Sequence, residues 1–126
     1  MTREGLIALV KHLFGTDPES PFDNDLETLV FRHTDNRKWF AIIMSIPFSR
    51  LEKEASGYVD AVNFKCDQDV IQSLWQERGI YPAYHMSKAH WITVTLDDKV
   101  SDDTVIWLLT MSYKLTKSKI KSKKAE

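Results

Sequence analysis

Apolar positions along the chain switch between helical and strand-like spacing, and the switches outline its elements. Leu6, Leu9, Val10 and Leu13 form one helical stripe behind Thr2, a suitable cap, with Phe14 extending the stripe and Gly15 as its stop. Thr16 to Asp25 gathers two prolines, Ser20, Asn24 and three aspartates, which predicts an ordered loop held down by Phe22. Leu29 to His33 and Lys38 to Ile46 then read as two strands around the turn Thr34-Asp35-Asn36-Arg37. The second arm is apolar on both pleat faces, which predicts an interior strand, and Pro47 marks its exit from the ladder. Phe48 to Ala61 fits neither period, and a loop, a short strand and a short helix all stay open there.

The stretch Val62 to Leu96 organises the rest. Val62 to Cys66 alternates as a strand, and Asp67 is placed to accept from the free N–H groups of a following helix. Val70, Ile71, Leu74 and Trp75 make that helix's apolar face, and Gly79 is its expected end. Pro82 keeps Ile80 to His85 from continuing as helix, so this segment is predicted to be a turn, and His90 to Leu96 is a second strand. Ser101 caps a last helix, with Asp102 and Asp103 at its positive end, running to about Tyr113. Val105, Leu108, Leu109 and Ser112 share one side. Ile106, Trp107 and Met111 widen the apolar surface and predict deeper packing than for the first helix.

This order predicts an α+β fold, an antiparallel sheet with helices packed on one face. Alternation directs Phe64, Cys66, Ile92 and Val94 to the helices, and Asn63, Lys65, Trp91, Thr93 and Thr95 to an opposite, more open face. At 126 residues and 43% hydrophobic content, the chain is one domain, residues 1–116, followed by a flexible lysine-rich tail, 117–126. Residues 1–116 carry 12 basic and 17 acidic groups, whereas 117–126 carry five lysines and one glutamate. An acidic body must build any phosphate-binding surface against its own average field.

The single cysteine, Cys66, excludes an internal disulfide and reads as a buried strand residue. No basic segment followed by an apolar run opens the chain, and no run approaches the ~20 apolar residues of a membrane span, so a soluble, cytoplasmic protein is expected. The four glycines are isolated and form no phosphate-cradling loop. His85 and His90 match no standard zinc spacing, and no metal or cofactor is expected. A dyad of Cys66 with His85 needs an exposed thiol, which the strand alternation opposes. Each of the paired aspartates has a cap, turn or helix-dipole role.

Polar aromatics concentrate from Tyr81 to Trp91. Tyr84, His85, Lys88, His90 and Trp91, with Lys65 on the neighbouring strand, offer donors, cations and stacking surfaces. Their bland alternative is a long loop whose Tyr84 and His85 satisfy backbone groups. Lys38 and Trp39, combined with Lys65, Lys88 and Trp91, could hold a single nucleic-acid strand on an open sheet, and Lys117 to Lys124 could add phosphate affinity.

The segments Lys38-Trp39-Phe40-Ala41, Asn63-Phe64-Lys65-Cys66-Asp67, Gly79 to Met86 with Lys88, His90-Trp91-Ile92-Thr93-Val94 and Ser112-Tyr113-Lys114-Leu115 resemble the MmcQ/YjbR family. The resemblance spans roughly residues 26 to 116 and implies a compact α/β sandwich like the bacterial frataxin fold. It also implies DNA binding through a double-wing arrangement, and it carries over no catalytic residues. The expectation is therefore a non-enzymatic DNA-binding domain using Lys65, Tyr84, His85, Lys88, His90 and Trp91. The alternative is a small-molecule binding or sequestering domain built on the Tyr81 to Trp91 loop.

Overall fold

The structure, a computed structural model, describes residues 1–118. From residue 119 onward the expected tail lies outside the described residues. The elements run α1 (Arg3–Phe14), β1 (Leu29–Arg32), β2 (Trp39–Pro47), a 3-10 turn (Phe48–Arg50), β3 (Tyr58–Lys65), α2 (Gln68–Leu74), β4 (Ile80–Pro82), β5 (Trp91–Thr95) and α3 (Asp102–Thr116). The five strands form one antiparallel sheet in the order β1-β2-β3-β5-β4. The chain is thus α+β, as its periodicity predicts.

The caps sit where the sequence puts them. Thr2 accepts from the Gly5 N–H at 3.0 Å, Asp67 from Asp69 at 2.9 Å and Ser101 from Thr104 at 3.2 Å, each relieving one orphan donor of its helix. All three helices contribute to a single cluster against one sheet face, where Leu6, Val10, Ile71 and Leu108 meet Phe64, Ile92 and Val94. Val30, Ile42, Met44 and Ala61 form a second cluster on the opposite face.

An irregularity in the β1–β2 ladder explains how both Phe40 and Ala41 reach the helix side. Phe31 pairs with Ala41 but Arg32 pairs with Trp39, leaving Phe40 as the extra residue of a bulge. Such a bulge turns two successive side chains to the same face and leaves Trp39 and Ile42 together on the other.

Several expectations change. β3 begins at Tyr58, four residues before the predicted strand, so within Phe48 to Ala61 the 3-10 turn takes Phe48–Arg50, strand takes residues 58–61, and turns join them. α2 stops at Leu74 rather than at Gly79. The predicted turn Ile80 to His85 opens with β4, a three-residue edge strand in which Pro82 is tolerated because one side of the strand has no ladder partner. α3 extends to Thr116, and Trp107 is 50% exposed instead of deepening the packing. Phe22 is also 46% exposed and does not pin its loop. That loop is held by Glu19, which pairs with Val30 and covers the edge of β1.

The face expected to be open is largely covered. Asn63 and Thr93 are completely buried, and Tyr84 and Met86 pack against the second cluster from the β4–β5 loop.

Candidate functional site

Covering the outer face with two loops leaves a cleft of about 490 Å³ between them. Ile42 and Met44 lie on its floor and Trp39 at one side, with Phe22 and Asp25 on the wall before β1, and Tyr84 to Met86 on the other wall. A size of this order with an apolar lining and few polar groups is usual for small-ligand sites.

The Tyr84 wall is fixed by a buried polar network. The Thr93 hydroxyl donates to the Asn63 Oδ1 at 2.5 Å and accepts from the Tyr84 N–H at 2.9 Å, while the Asn63 amide donates to the Tyr84 carbonyl at 2.9 Å. Every polar group of this set has a partner, so the loop is anchored to two interior strands. Beyond it His85 takes a left-handed backbone with φ of 61°, and its ring lies 3.9 Å from that of Tyr84, centroid to centroid. At the opposite wall the hydrogen bond from the Thr28 hydroxyl, with two backbone N–H groups, holds the Asp25 carboxyl below its ordinary range.

A second recess of about 440 Å³ lies on the far side of Tyr84 and His85, bordered by Arg50, Tyr81 and Lys88. Lys88 donates to the Ala83 carbonyl at 3.0 Å, and the Tyr81 hydroxyl donates to Glu52. Burial, then that hydrogen bond and the charge of Glu52, push the Tyr81 phenol well up, so it keeps its proton.

The sequence-predicted residues therefore fall into three groups. Tyr84, His85 and Lys88 share the second recess. Lys65 and Trp91 are cross-strand partners away from it, with the ammonium 5.8 Å from the ring centroid. His90 stands apart at the start of α2, its Nδ1 3.4 Å from the Gln68 amide. Among the described residues no three His, Cys, Asp or Glu side chains are grouped to hold a metal ion. Cys66 is 2% exposed in the helix-side cluster, and burial raises its thiol to about 11. It is not brought to His85, which lies on the outer-face cleft.

Sequence reasoning missed Ile42, Met44, Asn63, Arg50 and Met86 as lining residues, and it missed Arg32. The Arg32 guanidinium lies 5.3 Å from the Trp39 ring, at the same end of the sheet as Lys65 and Trp91, because Ala41 pairs with Phe64 across β2 and β3. A row of alternating cations and indoles, Arg32, Trp39, Lys65 and Trp91, thus crosses four strands. Asn63 carried a usable signal, as a polar residue inside an apolar strand.

These features define an antiparallel α+β sandwich whose non-helical face carries a cation and aromatic row beside a loop-walled cleft. The YjbR family model matches residues 11–115, and the chain belongs to that family. It is 33% identical over 117 residues to the Bacillus subtilis protein YyaQ, covering 93% of this chain and 99% of that one. The Escherichia coli K12 protein YjbR is 35% identical over 54 residues, 42% of this chain and 46% of its own. Among solved structures, a Pseudomonas syringae protein determined by crystallography superposes with a TM-score of 0.90 at 36% identity, covering 93% of this chain and all (100%) of that one. A Deinococcus radiodurans protein matches with a TM-score of 0.69 at 30% identity, over 90% of this chain and 77% of its own. No helix among the described residues is long and apolar enough to cross a membrane.

Proposed function

We propose that this is a non-enzymatic protein that binds nucleic acid, DNA in the first instance, as a single strand across one end of the outer sheet face. The observation that carries the reading is the row Arg32, Trp39, Lys65 and Trp91. Indole faces accept any base, and interleaved cations meet the phosphates between them. Neither Lys65 nor Lys38 has a carboxylate partner among the described residues, whereas Arg32 shares Glu19 with Arg37.

The end of α3 adds to this reading. Thr116 is bound to the β1–β2 hairpin, its hydroxyl 2.8 Å from His33 Nε2 and its carbonyl 2.9 Å from the Asn36 amide. The described chain thus reaches Lys117 at the hairpin end, where Arg32 and Trp39 also lie, and four more lysines follow in the sequence. The acidic body lowers the affinity, and the cation–phosphate contacts make that affinity fall as salt rises.

Fluorescence anisotropy with short labelled single-stranded and duplex DNA tests this. Single strands should bind more tightly than duplex at low salt, and the double variant Lys65→Ala/Trp91→Ala should lose about tenfold or more. Affinity indifferent to that pair would overturn the reading.

The cleft supports a second reading, a small-molecule site, because it is enclosed by pre-organised walls and floored by Ile42 and Met44. A ligand raising the melting temperature of the wild type but not of His85→Ala is its expected signature.

A further inference from the structure

The cleft and the recess beyond it meet at a single partition, the Tyr84 and His85 rings, which line both. Their linings differ in character. The cleft has the apolar floor of Ile42 and Met44, and the charged group in its lining is the Asp25 carboxylate on the wall before β1. The recess instead has two cations on its border. Arg50 makes no ion pair or side-chain hydrogen bond among the described residues, and Lys88 uses one of its three donors on the Ala83 carbonyl. Glu52, whose carboxylate accepts from the Tyr81 hydroxyl, stands nearby, so two cations are set against one anion there.

From this polarity we infer that the two recesses form one site for an amphiphilic anion, an aromatic or alkyl group in the cleft joined to a phosphate, sulfonate or carboxylate held by Arg50 and Lys88 beyond His85. The inference rests on the small-molecule reading of the cleft and is independent of the nucleic-acid reading. Asp25 repels an anionic end from the far wall, and the unpaired guanidinium attracts it toward the recess, so the ligand has one orientation. His85 is the residue over which such a ligand crosses. Its left-handed φ of 61° is a conformation that favours glycine, and retaining an imidazole there keeps a ring against Tyr84 and a donor at the crossing.

The test compares 1-naphthyl phosphate, 1-naphthol and inorganic phosphate by calorimetry and by amide shift changes in a two-dimensional NMR titration. The expected result is that 1-naphthyl phosphate binds at least tenfold more tightly than either fragment and shifts amides of both Met44 and Arg50. Arg50→Ala/Lys88→Ala should bring its affinity down to that of 1-naphthol. His85→Gly, which suits the left-handed backbone and keeps the fold, should weaken 1-naphthyl phosphate and leave 1-naphthol less affected. Equal affinity for 1-naphthyl phosphate and 1-naphthol, unchanged in Arg50→Ala/Lys88→Ala, would overturn the inference while leaving the cleft a ligand site. Equal affinity for 1-naphthyl phosphate and inorganic phosphate would reduce the recess to a bare anion site and also overturn it. Absence of binding by all three would remove the small-molecule reading and the inference together.

Discussion

Asn63 and Thr93 face each other across β3 and β5, both fully buried, and the Thr93 hydroxyl donates to the Asn63 side-chain oxygen while accepting from the Tyr84 amide. One hydroxyl thus couples two interior strands to the wall of the cleft. Thr93→Val keeps the shape and deletes the coupling, leaving the Asn63 oxygen and the Tyr84 N–H without this partner. The expected cost is about 1–3 kcal/mol in urea denaturation, with hydrogen exchange at Tyr84 accelerated more than at core amides such as Phe64. Unchanged protection at Tyr84 would mean that the loop is held by its apolar packing alone.

Gly79 and Gly57 separate two costs of adding a methyl group. Both have positive φ, 90° and 76°. A Cβ at Gly79 would lie 2.8 Å from Val100 Cγ2 and 2.9 Å from Lys99 Cβ, whereas nothing lies within 4 Å at Gly57. Gly57→Ala should cost only the backbone strain, about 1–3 kcal/mol. Gly79→Ala should add a further ~1–3 kcal/mol for displacing the chain before α3. Equal denaturation midpoints for the two variants would contradict this packing argument.

What the sequence disclosed and what it hid have physical reasons. Thr2, Asp67 and Ser101 were legible because a cap acts on N–H groups two or three residues away. The two faces of β3 and β5 were legible because strand alternation is local, and Phe64, Ile92 and Val94 meet the helices as it predicts. β4 was hidden because three residues with a proline carry no period, and their partner lies on β5. The start of β3 was hidden by Tyr58, 75% exposed at a strand end. In the candidate site, Tyr84, His85 and Lys88 were found by composition and Trp39 was grouped with Lys65 and Trp91, but Arg32 joins them through ladder register and a bulge at Phe40, neither of which a linear pattern encodes. The covering of the outer face was likewise missed, because loop docking depends on the non-local network of Asn63 and Thr93.

His33 makes stability depend on pH. It is 5% exposed, between Phe40 and Tyr113, and its Nε2 lies 2.8 Å from the Thr116 hydroxyl, which itself donates to the Ser112 carbonyl. The hydroxyl oxygen therefore accepts from the ring's Nε2–H. Burial lowers the pKa of His33 below 6.5, with Asp35 and a hydrogen bond to the Tyr113 backbone opposing and Lys117 and Lys38 adding to it. The unfolded chain then binds the proton more readily, so the contribution of His33 is complete above the unfolded value and is lost as pH falls below 6.5 through the folded value. Wild type should lose more stability than His33→Gln between neutral and mildly acidic pH in urea titrations. Parallel pH profiles for the two would show that another group governs the acid limb.

The nucleic-acid reading predicts that two kinds of residue act on different features of one binding curve. Lys119, Lys121, Lys123 and Lys124 lie beyond Ser118, so a chain ending there loses four cations and none of the row on the sheet. For single strands each lost phosphate contact reduces the slope of log affinity against log salt by about 0.7, and the truncated chain should have a shallower slope with affinity converging on that of the full chain at higher salt. Trp91→Ala removes a stacking surface instead. It should lower affinity at every salt concentration, by about 1–3 kcal/mol, with the slope unchanged. Lys65→Ala should do a little of each, since its ammonium lies 5.8 Å from the Trp91 ring and, in the proposed complex, also meets phosphate. A truncated chain with no residual affinity, together with a Trp91→Ala variant as tight as wild type, would assign all binding to the lysines and none to the folded surface.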